Sequence, residues 1–174
     1  MNRKNNIVLI GMPGVGKSTL GVILAKELGY GFTDADLLIQ QQTGKLLKDI
    51  IEEEGVDGFI RVEEEVNASI ESVHCIIATG GSVVYGKKAM EHLKEIGTVV
   101  YIQVGLDVLK ERLGNMKNRG VVLREGQTLE SLYEERSVLY EQYADVVVDE
   151  TGRGPEETLE ELLLQLQRYA QRMQ

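Results

Sequence analysis

The stretch that most constrains the fold is Ile7-Val8-Leu9-Ile10-Gly11-Met12-Pro13-Gly14-Val15-Gly16-Lys17-Ser18-Thr19. Its first four residues are apolar and mostly β-branched, the pattern of a fully buried strand. They run without a gap into Gly11-x-x-x-x-Gly16-Lys17-Ser18, the spacing of a phosphate-binding loop. After Lys17 the apolar positions Leu20, Ile23, Leu24 and Leu28 recur at helical spacing. The loop therefore joins a strand to a helix N-terminus, where free N–H groups and the helix dipole favour anions. Gly14 and Gly16 leave backbone amides free to wrap a β-phosphate, Lys17 reaches the β/γ oxygens from a solvent-facing position, and Ser18 offers its hydroxyl to Mg²⁺. A chance glycine-rich turn is the alternative, and it does not account for the agreement of strand, loop and helix.

Such a unit needs a sheet around it, and 174 residues supply one well-cored domain spanning 1–174. The net charge of −9 argues against a nucleic-acid partner except at a local basic patch. Basic residues gather once, at Lys110, Arg112, Lys117, Arg119 and Arg124, a small cluster better matched to a nucleoside triphosphate than to a duplex. The single cysteine, Cys75, lies in an apolar run and reads as a buried structural thiol. The apolar run before Gly11 is too short for a signal peptide and no span approaches membrane length, so a cytoplasmic protein with no membrane partner is expected.

Along the chain, Gly29 to Thr33 turns into a short strand that ends in Asp34-Ala35-Asp36. Two carboxylates at a strand end beside a phosphate loop suit metal and proton chemistry, although Asp34 can equally cap the helix that follows. Helices are predicted from Leu46 to Glu54, stopping before Gly55, and from about Val56 to Ser72, where most of the charge reads as a solvated face. Val73 to Ala78 is the next buried strand, and it delivers Thr79-Gly80-Gly81-Ser82, either a ligand-approaching loop or a plain tight turn. A helix over about 86–95, a strand from Thr98 to Val104 and a helix from Leu106 to Leu113 follow. The polar, basic stretch from about 114 to 126 has the length of a functional loop, read as a lid. The helix from Leu129 to Tyr143, the strand from Ala144 to Val148 and a helix opened by Pro155 complete an α/β fold, a five-stranded parallel sheet flanked by helices.

With these motifs in place, the chain resembles the shikimate kinases, small-molecule kinases of the phosphate-loop class, over nearly its whole length. The resemblance implies a three-layer fold with a lid, acceptor-binding helices over about 35–72, and a monomer that takes part in aromatic amino acid biosynthesis. It also implies ATP and Mg²⁺, with Gly14, Val15, Gly16, Lys17, Ser18 and Thr19 on the phosphates, and Ser18 and Asp34 at the metal. Asp36 then orients the acceptor hydroxyl and takes its proton. Gly80, Gly81 and Arg136, the last in Glu135-Arg136-x-x-x-Tyr140, bind the acceptor. Arg119 swings in with the lid, and Arg112 and Arg153 lie near the adenine, with Pro155 beside them.

Three departures from the family pattern stand out. Ser82 replaces the third glycine of a triplet, Gly120-Val121 follows Arg119 where proline and leucine are usual, and Phe59-Ile60 replaces a Phe-Arg pair that binds carboxylate. Arg61, one position on, is turned from the cleft by about a quarter circle and is expected to pair with Glu64 or Glu65 on the surface. The altered acceptor half keeps open a kinase for another small metabolite. A GTPase-like switch is disfavoured because no Asn-Lys-x-Asp motif occurs, and a nucleotide-binding regulatory protein because Lys17, Asp36 and Arg119 are all retained.

Overall fold

A computed structural model describes residues 4–114, 121 and 123–174. The chain runs β1 (Asn6–Ile10), α1 (Lys17–Leu28), β2 (Gly31–Asp34), α2 (Ala35–Thr43), α3 (Leu47–Ala68) and β3 (Cys75–Ala78). A 3-10 turn at Val83–Tyr85 leads into α4 (Lys87–Ile96) and β4 (Gly97–Gln103). Then come α5 (Leu106–Gly114), α6 (Leu129–Tyr143), β5 (Val146–Asp149) and α7 (Pro155–Arg172). The strands form one parallel sheet in the order β2-β3-β1-β4-β5. Parallel strands in the middle of such a sheet are covered on both faces, which is why β1 is apolar after Asn6, β3 is apolar throughout, and both are buried.

Register decides what meets at the C-terminal edge. Leu9 pairs with Ala78, Asp34 also pairs with Ala78, and Ile10 pairs with Tyr101. The ends of β1, β2 and β3 thus deliver the phosphate loop, Asp34 and Thr79-Gly80 side by side. Thr79 fastens this edge, since its N–H and its hydroxyl both donate to the Leu9 carbonyl, at 3.2 and 2.8 Å. At the opposite edge the buried Asn6 amide donates to Ser72 O and Ile96 O and accepts from Cys75 N–H at 3.0 Å, so one polar side chain fixes where β3 and β4 begin. Full burial of each aliphatic side chain contributes about 1.5–3 kcal/mol before entropy is counted.

A second, smaller apolar cluster of Ile39, Ile50, Phe59 and Val66 packs α2 on α3, apart from the main core around the sheet. Three boundaries differ from the sequence reading. Helix α3 ends at Ala68, short of Ser72, while its two halves meet at a kink where Gly55 leaves helical geometry at φ 73°, the break expected from the sequence. Strand β3 begins at Cys75, because His74 adopts φ 52° and Val73 is exposed; β5 begins at Val146, two residues after Ala144. The 3-10 turn at Val83–Tyr85 has no counterpart in the predicted elements. Cys75 is buried and free, as its apolar setting predicted.

Candidate active site

The loop after β1 owes its shape to glycines. Gly11 sits at φ 150° with space for no side chain, since a Cβ there would lie 2.6 Å from Ile102 O. Gly14 and Gly16 have φ of 85° and 79°, and Gly16 is the left-handed N-cap of α1. Lys17, expected to face solvent, is instead buried: its Nζ donates to Gly11 O at 2.7 Å and to Met12 O at 2.9 Å. Burial lowers its pKa to about 8, opposed by the nearby Asp36 carboxylate.

Asp34 caps the helix that follows it, as one reading of the sequence had it, and also faces the phosphate loop. Its Oδ1 accepts from Asp36 N–H and Leu37 N–H, capping α2, and its Oδ2 accepts from the Ser18 hydroxyl at 2.7 Å. Asp36 is partly buried one turn into the site, and burial, with Asp34 beside it, raises its pKa. Gly80 lies between Asp36 and a residue the sequence reading assigned to a solvated face, Glu63. A Cβ on Gly80 would come within 2.5 Å of Glu63 Oε2 and 2.9 Å of Asp36 Oδ1, so a larger residue there would displace one of the two acids. Glu63 is buried, accepts a 2.5 Å bond from the Ser82 hydroxyl, and has its pKa raised by burial to about 7. Ser82 therefore supplies Glu63 with a donor that a third glycine lacks.

Arg136 is the other buried charge here. Its guanidinium lies 5.5 Å over the Tyr85 ring, and Nη1 is 2.9 Å from where a Cβ on Gly81 would stand. Its Nε is buried with no hydrogen-bond partner among the described residues. Tyr140 donates to Gly81 O, holding that loop against α6, and Tyr85 donates to Glu135 at 2.5 Å. Arg136, Ile60, Ser82 and Tyr85 line one narrow cleft, whereas Arg61 is exposed and lines none of it. Among the described residues Arg61 has no ion-pair partner, and Glu64 accepts instead from Lys88 N–H.

A wider cleft of about 230 Å³ lies on the other side of the loop, lined by Gly14, Gly16, Thr19, Arg112, Arg153 and Pro155 among others. Val15 packs under it, buried. Arg112 pairs with Glu150 at 2.5 Å, and Arg153 donates to Asp149 O at 2.8 Å. The basic patch is thereby corrected: Lys110 pairs with Glu130, Arg112 with Glu150 and Arg124 with Asp57, so its described members are neutralised pairwise instead of pooled. Arg119 and Lys117 lie outside the described residues. Glu63 and Glu150 are the site acids that sequence reasoning missed.

A phosphate loop on the central strand of a parallel sheet, with a carboxylate and a buried arginine facing it, defines a phosphotransferase for a small acceptor. The shikimate kinase family model matches residues 13–167. A shikimate kinase of Thiobacillus denitrificans is 39% identical over 153 residues, 86% of this chain and 83% of its own. The structure of shikimate kinase from Acinetobacter baumannii in complex with shikimate is 34% identical, with a TM-score of 0.81 over 95% of this chain and 93% of its own. That of the Aquifex aeolicus enzyme is 33% identical, with a TM-score of 0.79 over 95% and 98%. The chain belongs to the shikimate kinase family, phosphotransferases with an alcohol acceptor.

Proposed function

We propose that the chain transfers the γ-phosphoryl group of ATP to a hydroxyl of shikimate, giving shikimate 3-phosphate. The observation that carries this reading is the meeting of Lys17, Asp36 and the buried, unsatisfied Arg136 around the end of β1 and β3. The loop amides of Gly14, Val15 and Gly16, with Ser18 and Thr19, hold the phosphates. Lys17 exchanges its two carbonyl partners for phosphate oxygens, a swap that keeps its buried charge hydrogen-bonded. Arg112 and Arg153 border the adenine side.

Asp36 accepts the proton of the attacking hydroxyl, and its raised pKa makes it a better base than an ordinary aspartate. Gly80 and Gly81 let the acceptor approach the backbone, and Arg136 fixes its carboxylate through a bidentate pair. Arg119 is assigned to the transferring phosphoryl group, although it lies outside the described residues. Ser18 and Asp34, whose side-chain oxygens lie 2.7 Å apart at the end of the loop, are of the oxygen-donor type that would hold a hard divalent cation. Mg²⁺ bound there supplies neutralisation of the β- and γ-phosphate charge. Among the described residues no cluster of three or more acidic, His or Cys side chains offers a fuller metal cage. The reading carries with it a cytoplasmic monomer in aromatic amino acid biosynthesis.

Ile60 on the acceptor cleft wall favours a second reading, a kinase for another small hydroxylated metabolite. An ADP-release assay with shikimate, quinate, gluconate and homoserine separates the two. Turnover highest on shikimate is expected, and turnover on another acceptor with none on shikimate would overturn the first reading.

A further inference from the structure

The acceptor cleft is bounded by α3 on one side and by α6 with the segment ahead of it on the other, and Ile60, Arg124 and Arg136 all line it. Arg136 brings one guanidinium, with a buried Nε that has no partner among the described residues. The α3 wall brings no charge at position 60, so a carboxylate entering the cleft meets one cation where two would complete its hydrogen bonds. Among the described residues lining this cleft, the other cation is Arg124.

Arg124 is presented by a built turn. Gln127 N–H donates to Arg124 O at 3.0 Å, Arg124 N–H donates to the Gln127 side-chain oxygen at 3.3 Å, and Gly126 supplies the φ of 77° the turn requires. The guanidinium Nη2 donates to Asp57 Oδ1 at 2.8 Å, with the two side chains 57% and 77% exposed. An ion pair so open to water is weakly held and readily exchanged. Asp57 stands three residues before Ile60 on α3, on the same helix face. The Arg124 guanidinium therefore already rests against the wall where Ile60 leaves no cation. The cleft beside the pair has space for only about 10 Å³.

We propose that Arg124 is the second carboxylate ligand of the acceptor site, exchanging Asp57 for the incoming carboxylate and so determining specificity from the segment ahead of α6 instead of from α3. The inference rests on the acceptor being shikimate. The test is initial-rate kinetics on the full chain with shikimate and with its methyl ester, for the unaltered chain and for Arg124→Ala, Asp57→Asn and Arg61→Ala. Arg124→Ala raises the KM for shikimate about tenfold, the scale of one charge-assisted bond, with kcat and the KM for ATP little changed. That penalty disappears with the uncharged ester. Asp57→Asn removes the competing carboxylate and lowers the KM for shikimate by up to about fivefold. Arg61→Ala leaves it unchanged. An Arg124→Ala penalty equal for acid and ester, or no penalty while the unaltered chain turns over shikimate, overturns the inference alone. No shikimate turnover by the unaltered chain overturns the acceptor reading and the inference with it.

Discussion

Lys17 holds its charge on the loop's own carbonyls, and substitution there separates chemistry from packing when the aliphatic stem is kept. Lys17→Met is expected to abolish ADP release while the thermal midpoint stays near that of the unaltered chain; near-normal turnover would remove the lysine from the reaction. Asp36→Asn keeps shape and loses the proton acceptor, so kcat should fall by about two to four orders of magnitude with the KM for ATP preserved. Glu63 makes a stability prediction. Its folded-state pKa, about 7, lies above the 4.5 of an ordinary glutamate, so the folded state binds the proton more tightly and stability is lost as pH rises from 4.5 through 7. Removing that ionisation in Glu63→Gln should stabilise the chain by roughly 3 kcal/mol at pH 8 and by almost nothing below pH 4.5, read from urea midpoints across pH. The residue was illegible in the sequence because Glu63, Glu64 and Glu65 are chemically identical neighbours. Only the helix phase shows that the first is buried and the third exposed. Lys17 and Asp34 were legible because their types recur at fixed offsets from strand ends, and Arg136 because the Glu135-Arg136-x-x-x-Tyr140 pattern resembles that of the family.

At the scale of elements, the uninterrupted apolar runs of β1 and β3 marked the strands, and glycine spacing marked the loop. Ends were harder, because a single residue such as His74 can take an uncommon φ without changing the pattern around it. Gly55 has φ 73° and ψ −178°, a conformation that side chains avoid, in the middle of α3. Gly55→Ala is expected to destabilise the chain by about 1–3 kcal/mol, and because Asp57 and Ile60 follow the kink, to raise the acceptor KM more than the ATP KM. Equal effects on both substrates would show that the kink does not govern the cleft. Ile60→Arg puts a cation one turn from Glu63 on the cleft wall and should lower the KM for shikimate.

For the whole molecule, the separate clusters imply uneven stability. The sheet is covered by the large core, whereas α2 and α3 meet over four fully buried apolar side chains. Amide exchange should therefore be slowest in β1 and β4 and faster in α2 and α3 by an amount that ADP does not remove; uniform protection would contradict this. The acidic balance of the chain hid local order, since Lys110, Arg112 and Arg124 of the basic cluster are each matched with an acid. Pairing across 38 or 67 residues of sequence, as for Arg112 with Glu150 and Arg124 with Asp57, leaves no trace in composition.

Asp34 divides its two oxygens between the start of α2 and the Ser18 hydroxyl, and this division limits what any one substitution can report. Asparagine is as good an N-cap as aspartate, so Asp34→Asn keeps the helix start and removes the negative charge and the oxygen that accepts from Ser18, while Asp34→Ala removes the cap as well. The activity lost in the first variant isolates the electrostatic task, and the further fall in melting temperature in the second isolates the architectural one. Asp34→Ala by itself would confound the two, and a laboratory using that variant alone would credit catalysis with what belongs to the helix.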